Sequence, residues 1–269
     1  MDLLRAIIKL IIFLVVTLFL YSIIMLSLLS SIIGLNYEKY RGYLLRLWGQ
    51  SCCKILGIEL DVRNKPPEPP FLLVSNHLSY IDIFVLFSQL RCLFVAKSDV
   101  KAWPLIGFII RTCGILFIDR ERKRDIKRVN NLISKNINEN QGIIIFPEGT
   151  TSPGTDILPF RASLLKYPAS KKFPVSHVAI TYVTEEGQIP AYNAVCWWDD
   201  TSFLVHFFNL LKLKKFKAIL NFGDDKIMDE NRKVLAKKLE DKVRSDFIPV
   251  ITENEFHEKH LPFEPALPL

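Results

Sequence analysis

The hydrophobic pattern of the chain begins with a long apolar run. From Leu10 to Tyr37 no residue carries a charge, and nearly every position is apolar. A helix needs about 20 such residues to cross the hydrocarbon core of a bilayer, whereas the apolar part of a cleaved signal peptide is much shorter. The pattern therefore predicts an N-terminal membrane helix, with a re-entrant hairpin in the same run as the alternative.

The segment after this run, residues 36–58, mixes leucines, aromatic residues and basic residues at helical spacing. Such a helix either lies at the headgroup level of a membrane or packs on the domain that follows. We group residues 1–57 as a membrane anchor with an interfacial helix. Prolines concentrated in residues 62–70 mark a boundary, and residues 58–250 are assigned to the main domain.

Short apolar runs alternate with amphipathic stretches through the main domain. The runs that predict strands are 71–75, 93–97, 115–119, 143–147, 176–183 and 218–223. The stretches that predict helices are 81–90, 100–112, 121–138 and 229–247. This alternation predicts an α/β fold, with a central mixed sheet flanked by helices and preceded by the membrane helix. The proline-rich segment 251–269 is predicted to be an irregular tail.

Charge and cysteine content narrow the class of protein. The net charge of +7 favours an acidic partner, such as anionic membrane lipids, an acidic carrier protein or a phosphorylated substrate. We expect no nucleic-acid partner, because the basic residues form no dense tract. The five cysteines are an odd number without a CxxC pair, so we expect reduced, mostly buried thiols and no metal site.

The first motif with candidate chemistry is NHLSYID, from Asn76 to Asp82, between a predicted strand and a predicted helix. Open α/β sheets bind ligands at this edge. Histidine titrates near neutrality, so His77 suits a general base, and Asp82 follows about one helical turn later, where it could orient the imidazole. No GxSxG nucleophile motif is present, so the nucleophile should come from the substrate. The alternative is a helix capped by Asn76, with an incidental His and Asp.

Two further motifs also follow predicted strands. GILFIDR ends in Arg120, whose guanidinium suits bidentate binding of phosphate or carboxylate. The alternative is that these charged residues simply begin a solvent-exposed helix. FPEGTTS, residues 146–152, contains Gly149, which permits a tight turn and close approach of backbone N–H groups to a ligand. An ordinary strand-to-loop turn is the alternative for this motif.

Taken together and in this order, the motifs resemble those of the glycerolipid acyltransferase family, in particular bacterial 1-acylglycerol-3-phosphate acyltransferases. NHLSYID matches NHxxxxD, GILFIDR matches GxxFIDR, and FPEGTTS matches FPEGTRS except at one position. A looser fourth block, residues 173–182, matches the family's proline followed by an apolar strand. The resemblance covers about residues 60–225, and an N-terminal membrane anchor is usual in the family.

The resemblance implies an enzyme that acylates a lysolipid. His77 would be the general base and Asp82 would orient it, while backbone donors near Gly149 would hold the oxyanion. No bound cofactor is implied, and the acyl donor would be acyl-CoA or acyl-acyl carrier protein. The residues expected to bind substrate are Lys97, Arg120, Glu148, Gly149, Thr150, Thr151 and Arg161.

Thr151 departs from the family pattern, which has Arg at this position. Thr keeps a hydrogen-bond donor but loses the charge, and nearby Arg161 could compensate. We keep lysophosphatidic acid as the first acceptor because GILFIDR is intact. Other lysophospholipids and lyso-ornithine lipid stay open as alternatives.

Two other functional classes are alternatives to the acyltransferase hypothesis. A lysophospholipid hydrolase is disfavoured by the missing Ser nucleophile, and a non-catalytic membrane adaptor would not need both His77 and Asp82. We expect the protein in a bacterial inner membrane with its main domain on the cytoplasmic side. The basic apolar stretch 203–217 is either a second membrane or carrier contact, or a core helix with a solvated Lys face.

Overall fold

The fold is seen in a computed structural model, which describes residues 1–28, 34, 36–102, 106–119 and 123–260. Its helices are α1 (Asp2–Ser27), α2 (Tyr37–Leu56), α3 (Ile81–Gln89), α4 (Ile106–Thr112), α5 (Lys123–Asn136), α6 (Lys166–Lys171), α7 (Ala191–Ala194), α8 (Phe203–Leu211), α9 (Arg232–Asp246) and α10 (Glu253–His260). Its strands are β1 (Ile58–Arg63), β2 (Leu72–Ser75), β3 (Cys92–Lys97), β4 (Leu116–Ile118), β5 (Gly142–Ile145), β6 (Val175–Val183) and β7 (Phe216–Phe222). Short 3-10 turns span Ser98–Ala102 and Ala162–Leu165.

Within the described residues, the strands form one sheet in the order β1-β7-β6-β2-β5-β3-β4. β6 and β7 pair antiparallel, and the other neighbouring pairs are parallel. The predicted mixed α/β sheet flanked by helices is thereby confirmed. Because β1 and β7 run against the rest, the carboxyl ends of β2, β3, β5 and β6 share one edge.

The centre of the sheet is built from strands that are buried throughout. Leu72–Ser75 of β2 and Gly142–Ile145 of β5 are buried at every position, as expected for parallel strands covered on both faces. These continuous apolar runs explain why the sequence pattern located the central strands.

Strand β1 was not predicted, and it lies at the start of the main domain, where it runs into the proline-rich boundary at residues 62–70. Its residues are mostly half-buried or exposed, because β1 is an edge strand that pairs only with β7 in the described sheet. Gly57 joins it to α2 with φ +80°, and a Cβ atom there would lie 2.4 Å from the carbonyl oxygen of Lys214. An edge strand entered through such a tight turn gives little hydrophobic signal.

Helix α1 packs along the domain over much of its length. Phe13 lies against Phe84 and Phe207, with ring centroids 5.9 and 5.1 Å apart. Lys9 Nζ donates to the carbonyl oxygen of Leu56, the last residue of α2, and to that of Leu213, just after α8, each at 2.8 Å. By length and composition α1 could cross a membrane, yet its inner face is part of the domain's packing.

Two predictions about secondary structure need correction. The tail, residues 251–269, is not irregular throughout, because α10 begins after a capping box in which Thr252 and Glu255 bond reciprocally; residues 261–269 lie outside the described residues. The stretch 203–217 is not one helix: α8 ends at Leu211, and β7 begins at Phe216.

The cysteine prediction agrees with the structure. All five cysteines are free and buried, and burial raises the pKa of the thiols of Cys53 and Cys113 to about 11. Such thiols stay protonated at neutral pH and act as small apolar side chains.

Candidate active site

The site is built where β2 ends and the chain turns toward α3. The Asn76 side chain continues the pairing between β2 and β6: its Nδ2 donates to the carbonyl oxygen of Ile180 at 2.9 Å, and its Oδ1 accepts from the Ile180 amide at 2.7 Å. The side-chain amide thus replaces a backbone peptide group, and the backbone is free to turn. Asn76 does not cap α3, so the alternative of a simple helix cap does not hold.

His77 follows directly and meets Asp82. The distance between His77 Nδ1 and Asp82 Oδ2 is 2.7 Å. The Asp82 side chain has no exposed surface, whereas 21% of the His77 side chain is exposed. Because Nδ1 donates to the carboxylate, Nε2 is the nitrogen available to a substrate.

Asp82 is surrounded by donors. Oδ2 also accepts from the backbone amides of Leu78, at 2.8 Å, and Ser79, at 3.1 Å. Oδ1 accepts from the hydroxyl of Tyr182 at 2.7 Å. A buried carboxylate with several donors is held in one orientation.

The imidazole of His77 is also held from its face. It stacks on the ring of Phe146, with centroids 4.0 Å and planes 14° apart. Phe146 in turn stacks on Phe94 at 5.8 Å. The first motif fixes the edge of the imidazole and the third motif fixes its plane, so the structure brings these two motifs together.

Glu148, expected to contact the acceptor, lies below the surface. It is 3% exposed, and neither carboxyl oxygen has a hydrogen-bond partner among the described residues. Burial raises its pKa to about 9; the backbone amides of His77 and Leu158 oppose this shift, and the nearby charge of Asp82 adds to it. Glu148 is therefore a buried carboxyl group whose charged form is disfavoured, not an exposed anion.

The loop after Glu148 follows the predicted turn. Gly149 has φ +84°, and its amide closes the turn on the carbonyl oxygen of Phe146 at 3.2 Å. The amide of Ser152 donates to the carbonyl oxygen of His77 at 3.1 Å, which fixes the loop beside the imidazole. In the described part of the chain, the amides of Thr150 and Thr151 donate to no acceptor.

Thr151 uses its hydroxyl inside the protein. The hydroxyl donates to the carbonyl oxygen of Trp197, and the amide of Trp197 donates to the carbonyl oxygen of Leu78 at 2.9 Å. The backbone of Trp197 therefore joins the first motif to the third. The expectation that Thr151 offers its donor to a headgroup does not match this contact.

The described cations that were predicted to bind substrate, Lys97 and Arg161, are exposed, unlike the buried Asp82. Lys97 is exposed and pairs with Asp99 at 2.5 Å. Arg161 is exposed, and its amide donates to the carbonyl oxygen of Pro147 at 3.0 Å, so its backbone lies beside the third motif. Arg120 lies outside the described residues.

Sequence reasoning missed the partners that come from distant segments. The Tyr182 hydroxyl, the backbone of Ile180 and the backbone of Trp197 all contact the motif residues. Tyr182 closes the looser fourth block, which was the only signal for it. A side chain of that block cannot be assigned to Asp82 until the strand order is known.

The motifs and the fold agree with known proteins. A family model described as Acyltransferase matches residues 59–181. A lyso-ornithine lipid O-acyltransferase from Rhodobacter capsulatus is 32% identical over 168 residues, which cover 61% of this chain and 60% of that protein. A 1-acyl-sn-glycerol-3-phosphate acyltransferase from Neisseria gonorrhoeae is 30% identical over 201 residues, which cover 73% of this chain and 78% of that protein.

The same fold occurs in a solved structure. The crystal structure of the 1-acyl-sn-glycerophosphate acyltransferase from Thermotoga maritima superposes with a TM-score of 0.63 at 20% identity, covering 91% of this chain and 97% of that one. The motif geometry and these similarities agree with the resemblance drawn from the sequence. The chain belongs to the acyltransferase family that includes 1-acyl-sn-glycerol-3-phosphate and lyso-ornithine lipid acyltransferases.

Proposed function

We propose that the protein transfers a fatty acyl group from a thioester donor to the free hydroxyl of a lysolipid. Lysophosphatidic acid is the first acceptor proposed, with phosphatidic acid as product, a step of phospholipid biosynthesis. The observation that carries the proposal is the 2.7 Å contact between His77 Nδ1 and Asp82 Oδ2 beside a partly exposed imidazole. Among the described residues, no Ser, Thr or Cys side chain bonds to this imidazole, which supports a nucleophile from the acceptor.

The reaction follows from this geometry. His77 Nε2 takes the proton of the acceptor hydroxyl as its oxygen attacks the thioester carbonyl carbon. Asp82 stabilises the imidazolium that forms. The tetrahedral intermediate then collapses, the carbon–sulfur bond breaks, and the imidazolium returns the proton to the leaving thiolate. The products are the diacyl lipid and a free thiol.

The oxyanion of this intermediate needs donors near His77. The amide of Gly149 already closes the turn on Phe146, whereas the amides of Thr150 and Thr151 have no acceptor in the described chain. We assign the oxyanion to this pair, because preorganised backbone donors stabilise such charge strongly. The position of Ser152 against the His77 carbonyl supports the assignment.

The donor is proposed to be acyl-CoA or acyl-acyl carrier protein, either of which is consumed as a substrate and not held as a cofactor. The net charge of +7 would favour both, since each carries negative charge. Anionic membrane lipids are proposed as further partners on the same ground.

The acceptor headgroup is the finer part of the proposal. Lysophosphatidic acid would rely on Arg120 and Arg161, because Thr151 carries no charge and donates to Trp197. That engaged hydroxyl favours lyso-ornithine lipid as the second candidate, since its headgroup has no phosphate. A family relative named for each acceptor is similar to this chain.

The proposed location is a bacterial inner membrane, with the main domain on the cytoplasmic side. Support comes from the outward face of α1, where Ile11, Val15 and Leu18 are more than half exposed. An apolar face of this length is stable in lipid and costly in water.

The first experiment is an acyl-transfer assay with the purified full-length protein in detergent. Labelled acyl-CoA is supplied with lysophosphatidic acid, lysophospholipids of larger headgroup, or lyso-ornithine lipid in parallel. Phosphatidic acid as the main product would support the first acceptor. Acylated ornithine lipid would support the second candidate, and release of free fatty acid without an acylated product would refute acyl transfer in favour of a hydrolase.

A matched pair of variants tests the headgroup cation. Arg161→Met should raise the KM for lysophosphatidic acid by about tenfold, because one charge-assisted contact is lost. Lys166→Met, which removes another exposed cation a few residues away, should leave KM unchanged. Equal effects of the two changes would argue against Arg161 as a headgroup contact.

A further inference from the structure

The phenol of Tyr182 contacts the oxygen of Asp82 that faces away from His77. Tyr182 lies in β6 and is 1% exposed. Its hydroxyl donates to Asp82 Oδ1 at 2.7 Å, while the contacts from His77, Leu78 and Ser79 all go to Oδ2. Among the described residues, Tyr182 is thus the donor that holds Oδ1.

We infer that Tyr182 is a positioning residue for acyl transfer: its hydroxyl fixes the rotation of the Asp82 carboxylate and limits the negative charge that acts on His77. The inference rests on the proposed function, because it assigns a task within the dyad. It extends the dyad by a residue 100 positions away in the chain.

The strand that carries Tyr182 is tied to the same corner of the site. Two residues earlier, the backbone of Ile180 bonds both ends of the Asn76 amide, at 2.7 and 2.9 Å. The distance from β6 to the turn that holds His77 is therefore set by two direct hydrogen bonds. A hydroxyl on this strand is a fixed point, against which the carboxylate cannot rotate without losing its donor.

The hydroxyl of Tyr182 can act only as a donor toward an ionised Asp82. Burial raises the pKa of Tyr182 well above its ordinary value, so the phenol is neutral. Packing alone would need only the ring, which lies 6.1 Å from the ring of Phe216. Phenylalanine would keep this packing and lose the hydrogen bond, so the two roles can be separated.

Other titratable groups surround the dyad and must be considered in a pH test. Cys196, in the segment after α7, and Glu148, in the loop after β5, lie near Asp82, and Cys53 of α2 lies near Tyr182. Burial raises the pKa of the Cys53 thiol to about 11 and that of Cys196 further, and it raises the pKa of Glu148 to about 9. These three groups therefore do not account for an acid limb of the rate profile below pH 8.

The test compares Tyr182→Phe with the wild type in the acyl-CoA assay. We expect a kcat about tenfold lower with both KM values within about twofold, because a hydrogen bond to a charged group is lost without a change in binding. The acid limb should move to higher pH by about half a unit, because a carboxylate with fewer donors holds the imidazolium more strongly. The control Tyr167→Phe, at a half-buried tyrosine in α6, should match the wild type.

Two further measurements test the inference if Tyr182→Phe does not fold or if the protein shows no turnover. 3-Fluorotyrosine at position 182 keeps the hydroxyl and makes it a stronger donor, so the limb should move to lower pH. Titration of ¹³C-labelled histidine by NMR, with the His77 signal identified by its loss in His77→Ala, should show the same shifts in the resting protein.

The outcomes separate this inference from the proposed function. Wild-type protein that acylates none of the acceptors would refute the function, while the histidine titration would still decide the role of Tyr182. An unchanged His77 titration in the Phe and fluorotyrosine forms, or a loss confined to KM, would overturn the inference.

Discussion

The two nitrogens of His77 have different environments, and this difference defines the chemistry of the site. Nδ1 donates to Asp82, whose second oxygen is held by Tyr182. The ring rests on Phe146, so its orientation is fixed in two directions. An imidazole fixed in this way is ready to accept a proton at Nε2 without reorganisation.

Removal of either member of the dyad should abolish acyl transfer. His77→Ala removes the proposed base, and Asp82→Asn favours the wrong tautomer of the imidazole, so we expect kcat to fall by about 10³-fold or more in each case. The measurement is the rate of labelled product formation, with circular dichroism to verify the fold. His257→Ala, an exposed histidine in α10, is the control; near-normal turnover in either dyad variant would contradict the mechanism.

Burial of Glu148 changes the charge state that this motif residue favours. Neither carboxyl oxygen has a partner at full hydrogen-bond geometry among the described residues, although the backbone amides of His77 and Leu158 lie close enough to lower the pKa. Ionisation in such a place is costly, and burial accordingly raises the pKa to about 9, from 4.5 for an unburied glutamate. The folded state thus holds a proton that the unfolded state releases above pH 4.5, so stability falls as pH rises toward 9.

Glu148→Gln should remove this pH dependence, because Gln has no proton to lose. We expect the melting temperature of the variant to rise relative to wild type as the pH is raised from about 6 to about 9. Thermal unfolding followed by circular dichroism measures this difference. The control Glu139→Gln, at an exposed site, should follow the wild type; parallel curves for wild type and Glu148→Gln would show that Glu148 is ionised in the fold.

At the scale of elements, the loop between α7 and α8 joins the first motif to the third. Trp197 accepts a hydrogen bond from Thr151, and its amide donates to Leu78. Beside this loop, Tyr80 bonds His206 Nδ1 at 2.8 Å, and His206 Nε2 contacts the carbonyl oxygen of Cys196 at 3.1 Å. The start of α3, the loop before α8 and the third motif are therefore held as one unit.

Thr151→Val should weaken this unit while it preserves the shape of the side chain. The carbonyl oxygen of Trp197 loses its donor, so we expect a loss of about 1 kcal/mol in the free energy of unfolding and a lower kcat. Thr150→Val changes a neighbouring exposed threonine and should have little effect on stability. Chemical denaturation of both variants is the measurement, and equal losses would show that the Trp197 contact is not what stabilises the loop.

At the scale of the whole molecule, α1 has two faces with different tasks. Its inner face packs Phe13 against the domain, and its Lys9 binds the carbonyl oxygens of Leu56, at the end of α2, and Leu213, just after α8. Its outer face exposes apolar side chains along a helix of 26 residues, about 39 Å long. The same helix therefore packs on the domain with one face and exposes an apolar surface with the other.

Charged substitutions on the outer face of α1 should weaken membrane binding without changing the stability of the domain. The double variant Ile11→Glu and Leu18→Glu changes two side chains that are 55% and 57% exposed, so we expect binding to liposomes to fall about tenfold or more. The melting temperature in detergent should change little, because the inner face is intact. Met228→Glu, an exposed apolar residue after β7, is the control; unchanged liposome sedimentation of the double variant would place the membrane contact elsewhere.

The sequence by itself determined the features that depend on neighbouring residues. The apolar periodicity located β2, β5 and α9, because buried strands and amphipathic helices must show it. The dyad was also predictable, because His77 and Asp82 are five residues apart across one turn, and local geometry then limits their distance. The family motifs had the same local character, and so the fold class and the enzyme class could be predicted from them.

The tertiary structure alone decided the contacts between distant segments and the effects of burial. Tyr182 reaches Asp82, and Ile180 reaches Asn76, only because β6 lies beside β2 in the sheet. The contact of Thr151 with Trp197 likewise spans 46 positions. Burial of Glu148 depends on all the elements around it, and the edge position of β1 removed the hydrophobic signal that would have predicted it. These features arise from the order in which strands pack, which no local pattern of residues encodes.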